Sequence, residues 1–237
     1  MNYFMRKIYE KREEVIWKNG ENQEILWGMI FNNTIDGSTW LKDKSFSPGR
    51  WAVGYPFLYI LYRVCNEFKP SSILELGLGQ SSKMTAQYSL SAENKHIIVE
   101  HDENWIEHCK KTIAFPTNTE IRKMYLDTVK VKNHPVSVYK DFAKEFIDGK
   151  FDLILIDAPF GSEYISRIDT LSIIPQTLDK SFIIIVDDCE RLGERRTVKE
   201  IERKLKKSNI EYAKGCYAGI KQTVILTSKD LAFFCSL

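Results

Sequence analysis

The chain lacks most of the features that would assign it quickly. Its five cysteines stand apart, at 65, 109, 189, 216 and 235, with no C-x-x-C pair. That argues against a zinc cluster and for the reduced thiols of a cytoplasmic protein. The longest aliphatic run, Phe182 to Val186, is far too short to span a bilayer. The N-terminus has no uninterrupted apolar stretch, so no signal peptide is expected. Neither charge is in excess: 34 Lys+Arg stand against 32 Asp+Glu, a formal +2. Nothing global therefore steers the chain toward nucleic acid or a membrane. There is no solenoid-period repeat, no Ser-His-Asp order with an elbow motif, and no Walker-type lysine, Lys83 being out of register for that role. What is present is 237 residues, 43% hydrophobic and 12% aromatic. This suits one large domain, or a core domain with a terminal extension.

Residues 2–18 read as an amphipathic helix, with Phe4, Met5, Ile8, Tyr9, Val15 and Ile16 near helical spacing. Glu10, Glu13 and Glu14 dilute its basic face, which favours packing on the same domain or a homodimer partner over a membrane surface. Asn19-Gly20 is expected to end it, with a second short helix near Gln23 to Phe31 and a third from Tyr55 to Phe68. From Ser71 the rhythm becomes strand, helix, strand. Strands are expected at 72–76, 96–100, 120–126, 151–157, 181–187, 210–213 and 222–227. Helices are expected at 82–89, 104–113, 141–147, 165–178 and 194–208. The last helix interleaves Lys and Arg with Glu, which reads as a solvated face and not a nucleic-acid patch. The alternation predicts an α/β fold: a doubly wound, mostly parallel sheet with helices on both faces and an N-terminal helical extension.

In such sheets ligands bind beyond the carboxyl ends of the strands. Four acid- or glycine-bearing segments fall there. Glu75-Leu76-Gly77-Leu78-Gly79-Gln80-Ser81-Ser82 follows the first strand, where glycine permits a tight turn and close approach of a ligand. Glu100-His101-Asp102 closes the second strand, and an acid there can accept hydrogen bonds from the ribose hydroxyls of a nucleoside cofactor. Asp157-Ala158-Pro159-Phe160-Gly161 closes the fourth strand; a carboxylate ending a buried strand must be paired or ligated. Asp187-Asp188 closes the fifth. Two adjacent carboxylates need a positive partner, either an arginine among Arg191, Arg195 and Arg196 or a hard cation such as Mg2+.

Together ILELGLGQSS, IIVEHDENW, FDLILIDAPFG and FIIIVDDCER resemble the class I S-adenosylmethionine-dependent methyltransferases. The resemblance covers about residues 46–237, leaving 1–45 as the extension. It implies a seven-stranded sheet whose last strand is antiparallel. It also implies Glu75 under the amino group of the cofactor, Gly77 and Gly79 lining it, Ser81 near its carboxylate, Glu100 on the ribose and His101 at the adenine edge. Asp127 or Asp141 could read the adenine. Matched to the magnesium-dependent branch, which methylates catechols and antibiotic sugars, it puts Mg2+ on Asp157, Asp187 and Asp188. Catechol-type enzymes carry Asn at the last of these positions. The expectation is O-methylation of a saccharide or another small polar hydroxyl acceptor, with Asp157 as general base if no metal is bound. Arg50, Trp51 and Tyr55, in the aromatic segment before the first strand, would line the acceptor pocket. Two rivals stand beside this reading: a nicotinamide-dependent oxidoreductase on a similar sheet, and a non-catalytic nucleoside-binding scaffold.

Overall fold

The computed structural model describes residues 3–49 and 51–237, with side chains from Asn19 onward. Arg50 and the apolar stripe expected over residues 2–18 lie outside the described residues and side chains.

Helix α1 runs unbroken over Tyr3–Ile35, so Asn19-Gly20 does not end it. Gly20 serves a close approach instead: a Cβ there would stand 3.1 Å from the Gly219 carbonyl oxygen. At this crossing Glu24 accepts from the Tyr55 N–H at 2.6 Å and the Ile220 N–H at 3.0 Å. Trp27 Nε1 donates to the Ala218 carbonyl at 3.0 Å. The helix continues because the contacts of Glu24 and Trp27, just after the glycine, outweigh the roughly 1 kcal/mol that glycine costs in a helix. Phe31 and Ile35 then enter the same core as α2 (Tyr55–Arg63). A π-helical turn over Val64–Phe68 and a left-handed Lys69 close α2 ahead of Pro70.

Seven strands form the main sheet: β1 (Ser72–Leu76), β2 (Lys95–Glu100), β3 (Thr119–Lys123), β6 (Phe151–Ile156), β7 (Leu178–Val186), β8 (Tyr212–Ala218) and β9 (Gln222–Ser228). Their order is β3-β2-β1-β6-β7-β9-β8, with β9 antiparallel to both neighbours and the rest parallel. β6 is buried along its whole length and β7 along its apolar run from Phe182 to Val186, as strands covered on both faces must be. Helices α3 (Gln80–Ser91), α4 (Glu103–Thr112) and α6 (Leu192–Lys207) follow β1, β2 and β7, and α5 (Phe142–Phe146) precedes β6.

Three expectations are corrected. The third strand stops at Lys123, and residues 126–139 form a separate hairpin, β4 (Leu126–Val131) with β5 (His134–Tyr139). Its turn residues Lys132 and Asn133 both have positive φ, the primed geometry that suits strand twist. Residues 165–178 hold only a 3-10 turn at Asp169–Ser172, because Arg167 sits at φ 54 and Pro175 follows. The strand expected at 210–213 lies at Tyr212–Ala218, displaced by its pairing with β9.

The order reverses between β1 and β6, the chain running outward to β2 and β3 on one side and to β7 on the other. The registers pair Val99 with Leu76, Leu76 with Ile156, and Ile156 with Val186. One residue further along stand Glu100, Gly77, Asp157 and Asp187, a single row across the switch point. Three backbone hydrogen bonds continue the ladder into it: Gly77 N–H to Val99 O at 2.9 Å, Asp157 N–H to Leu76 O at 3.0 Å, and Asp187 N–H to Ile156 O at 3.1 Å.

Candidate functional site

Gly77 adopts φ 101, and a Cβ there would stand 3.0 Å from the Ala158 Cβ. Both facts require glycine. Gly79 is extended and faces open space, so its missing side chain leaves room above the turn. The turn delivers the N-terminus of α3, whose free N–H groups and dipole suit an anionic group.

Beneath the turn Glu75 is 1% exposed. It accepts from Ser81 Oγ at 2.6 Å, Ser82 Oγ at 2.9 Å and Thr85 Oγ1 at 2.9 Å, and His96 Nε2 lies 3.1 Å away. The carboxylate thus ties the first turn of α3 to β1. The Ser81 hydroxyl is engaged inward with it.

Glu100 Oε1 accepts from the N–H groups of His101 at 2.7 Å and Asp102 at 3.0 Å, and Oε2 accepts from Leu78 N–H at 3.2 Å. His101 Nδ1 lies 2.7 Å from the same Oε1, and its ring meets Phe160 edge-on at 5.0 Å. Asp102 caps α4 by accepting from Asn104 and Trp105 N–H groups. Trp105 in turn donates through Nε1 to the Leu78 carbonyl at 2.7 Å.

Two hollows meet over this row. One, of about 480 Å³, is lined by Gly77, Glu100, His101, Asp157, Phe160, Lys221 and others. The second, of about 610 Å³, is lined by Gly79, Gln80, Lys83 and Cys109 among others. Trp51, Leu78, Trp105 and Asp157 border both. Trp51 is 89% exposed at the mouth. Tyr55 is not brought to the cleft: its ring lies against Gly28 and Phe31 of α1. Asp127 and Asp141 border neither hollow. A larger hollow, about 860 Å³, lies by Ser71, Asn94, Lys95 and Asn118, at the opposite ends of the strands.

The acids after β6 and β7 converge, with one oxygen from each of Asp157, Asp187 and Asp188 within 4.8 Å of the others. Sequence reasoning missed two of their partners. Arg167 places Nη2 2.5 Å from Asp188 Oδ2 and Nη1 3.3 Å from Asp157 Oδ1. Lys221 places Nζ 3.2 Å from Asp187 Oδ2 and 2.9 Å from Asp188 Oδ1. Thr223 Oγ1 donates to Asp187 Oδ1 at 3.2 Å. Of the three expected arginines, Arg191 reaches Asp188 Oδ2 at 3.1 Å, whereas Arg196 donates to the Tyr164 carbonyl and stacks on its ring.

Burial pushes the Asp157 carboxyl up to about 8, with Asp187 and Asp188 adding to the rise and Arg167 and Lys221 opposing it. Burial likewise raises Asp187. Asp188 is held below the ordinary carboxylate range because Arg167 and Lys221 outweigh its burial.

These donors do not fit a divalent ion while their partners stay in place. The oxygens an ion would need are the ones paired with Lys221 and Arg167, so it would have to displace two buried cations or sit against their like charge. The nucleoside side fits better. The cleft offers an open glycine turn, a helix N-terminus and one unused lone pair on Glu100 Oε2.

No family model matches the sequence, and no curated protein matches it. Solved structures do match the fold. A candidate O-methyltransferase from Klebsiella pneumoniae aligns over 86% of this chain and 98% of its own, with a TM-score of 0.54 and 15% identity. A candidate caffeoyl-CoA O-methyltransferase from Staphylococcus aureus aligns over 86% of this chain and 100% of its own, with a TM-score of 0.50 and 14% identity. With its strand order, single antiparallel strand and glycine turn at the switch point, the chain has the Rossmann-like methyltransferase fold.

Proposed function

We propose that this protein is an S-adenosylmethionine-dependent O-methyltransferase acting on a small polar hydroxyl acceptor, a saccharide among the classes that fit. The observation carrying the reading is the row at the switch point: two acids, Glu100 and Asp157, flank the Gly77 turn at matched register, placed as a ribose acceptor and a proton acceptor would need to be. Bound there, the cofactor supplies an electrophilic methyl group on a sulfonium and leaves as S-adenosylhomocysteine.

The chain's own residues do the rest. Glu100 takes a ribose hydroxyl, and the Gly77–Gly79 turn lets the backbone approach the ligand. Asp157 borders both hollows, and the smaller one is lined by Glu100 as well as by Phe160 and Lys221, so a ribose at Glu100 and an acceptor at Phe160 would meet beside it. Its carboxylate takes the acceptor's hydroxyl proton, and burial makes it a stronger base than an ordinary aspartate. Trp51 and Phe160, both exposed at the cleft, offer faces on which the apolar side of a sugar ring stacks. Arg167, Lys221 and the three acids form an internally paired cluster, which favours metal-independent chemistry.

Calorimetry with S-adenosylhomocysteine tests the cofactor, and a panel of saccharides and phenols with methyl-labelled S-adenosylmethionine tests the acceptor. Asp157→Asn should keep S-adenosylhomocysteine affinity within about threefold while turnover falls at least about a hundredfold. Binding of a nicotinamide dinucleotide in place of S-adenosylhomocysteine would overturn the assignment.

A further inference from the structure

We propose that Lys221 and Arg167 are the resident cations of this cleft: the Lys221 ammonium pairs with Asp187 and Asp188, and the Arg167 guanidinium with Asp157 and Asp188, where the resemblance implied Mg2+, and the protein neither needs nor admits a divalent ion there. The role assigned to Lys221 toward the acceptor rests on the methyltransferase reading; the exclusion of the ion does not.

The geometry accounts for nearly every oxygen. Asp188 gives one oxygen to Arg167 and the other to Lys221. Asp187 gives one to Lys221 and the other to the Thr223 hydroxyl. Asp157 gives Oδ1 to Arg167. Neither cation can easily withdraw. Lys221 is 7% exposed and Arg167 4%. The Arg167 guanidinium also donates to the Pro159 and Asp187 carbonyls at 3.3 Å each. Lys221 belongs to the β8–β9 turn, which closes on itself through Gly219 N–H to Lys221 O at 2.8 Å and is clamped to α1 by Glu24.

Lys221 also borders the smaller hollow together with Asp157 and Arg191. An ammonium has three N–H donors; one donates to Asp187 Oδ2 at 3.2 Å, and a second faces Asp188 Oδ1, an ion pair at 2.9 Å. The third is left for an acceptor oxygen beside Asp157. Lys221 thus offers a fixed positive charge to an oxygen losing its proton, a task a divalent ion performs elsewhere.

Mn2+ serves as the probe, its free-ion electron paramagnetic resonance signal falling as it binds. Wild-type protein should leave that signal unchanged up to about 1 mM Mn2+. Lys221→Met keeps the aliphatic stem, removes the charge and should gain at least about tenfold in Mn2+ affinity, while Lys221→Arg should remain blind to the ion. EDTA should leave wild-type turnover unchanged. Mn2+ binding by the wild type, abolished by Asp187→Asn, would overturn the proposal. So would a folded Lys221→Met that gains no Mn2+ affinity. If Lys221→Met does not fold, the wild-type titration alone decides. S-adenosylhomocysteine calorimetry on the same samples reads the cofactor assignment separately: failure there with the Mn2+ pattern intact would remove the methyltransferase reading and leave the resident cation standing.

Discussion

Glu100→Gln probes the cofactor assignment most directly, and the hydrogen bonds set its magnitude. A carboxylate has about four lone-pair positions. His101 and Asp102 N–H groups fill those on Oε1, and Leu78 N–H takes one on Oε2. One position on Oε2 remains for a ligand, so under the proposed function a ribose would gain one charge-assisted hydrogen bond here, not two. Such a bond is worth about 1.5–3 kcal/mol, roughly tenfold to just over a hundredfold in affinity. Glutamine keeps the shape but turns one oxygen into a donor. With its oxygen left on the His101 and Asp102 side, its NH2 group faces Leu78 N–H, and that buried donor loses its acceptor. The free protein should therefore lose about 1–3 kcal/mol of stability. Urea unfolding without ligand measures this loss, and calorimetry with S-adenosylhomocysteine measures the affinity. A Glu100→Gln protein that is destabilised as expected yet binds S-adenosylhomocysteine with wild-type affinity would show that Glu100 only braces the loop.

Two further substitutions test the structure around the cleft. Gly77→Ala must carry a Cβ at φ 101 and push against Ala158, which follows Asp157. The expected result is a loss of about 1–3 kcal/mol in denaturant unfolding and at least tenfold weaker S-adenosylhomocysteine binding; unchanged stability would contradict the left-handed turn. Asp169 is buried, accepts Tyr139 N–H through Oδ1, and has its carboxyl raised from 3.8 to about 7, chiefly by burial. The folded state then holds a proton that the unfolded state has released, so stability falls as pH rises between those values. That difference between the folded and unfolded carboxyl amounts to up to about 4 kcal/mol. Asp169→Asn should match wild type near pH 4 and exceed it near pH 8; parallel stability–pH curves for the two proteins would refute this.

The sheet and half of the site could be read from the chain because they depend on local rules. FDLILID and SFIIIVD are apolar almost throughout, as strands buried on both faces are. Gly77 and Gly79 punctuate a strand-to-helix turn, and Glu100 and Asp157 end their strands at the apolar-to-polar boundary. Where tertiary contacts outweigh local signals, the reading failed. Asn19-Gly20 looks like a helix stop, yet the glycine is there so that α1 can cross the β8–β9 turn. Tyr55 follows an aromatic segment that borders the cleft, but the first turn of α2 aims its ring at Gly28. The hairpin at 126–139 had a legible signal, alternating valines around Lys132-Asn133, which a strand reading ended at Leu126 passed over. Arg167 had none: it sits in an irregular segment, and its left-handed φ is visible only in three dimensions.

Lys221 was hidden for a topological reason, which also explains how it comes to stand in the cleft. In a parallel strand the first residues lie at the amino edge of the sheet, far from the acids. β9 runs the other way, pairing Val224 with Val186 and Thr227 with Ile183. Its opening residues therefore reach the carboxyl edge, where β7 ends in Asp187 and Asp188. The next step of that register sets Thr223 beside Asp187, and Cys189 N–H donates to the Gln222 carbonyl at 2.7 Å, locking the alignment beyond the strands. Side chains alternate between the faces of a sheet, so a one-residue slip would turn Thr223 to the other face and withdraw its hydroxyl from Asp187. The antiparallel strand carries a cation to a row of carboxylates on rigid backbone, and its register sets the distances at which the charges meet.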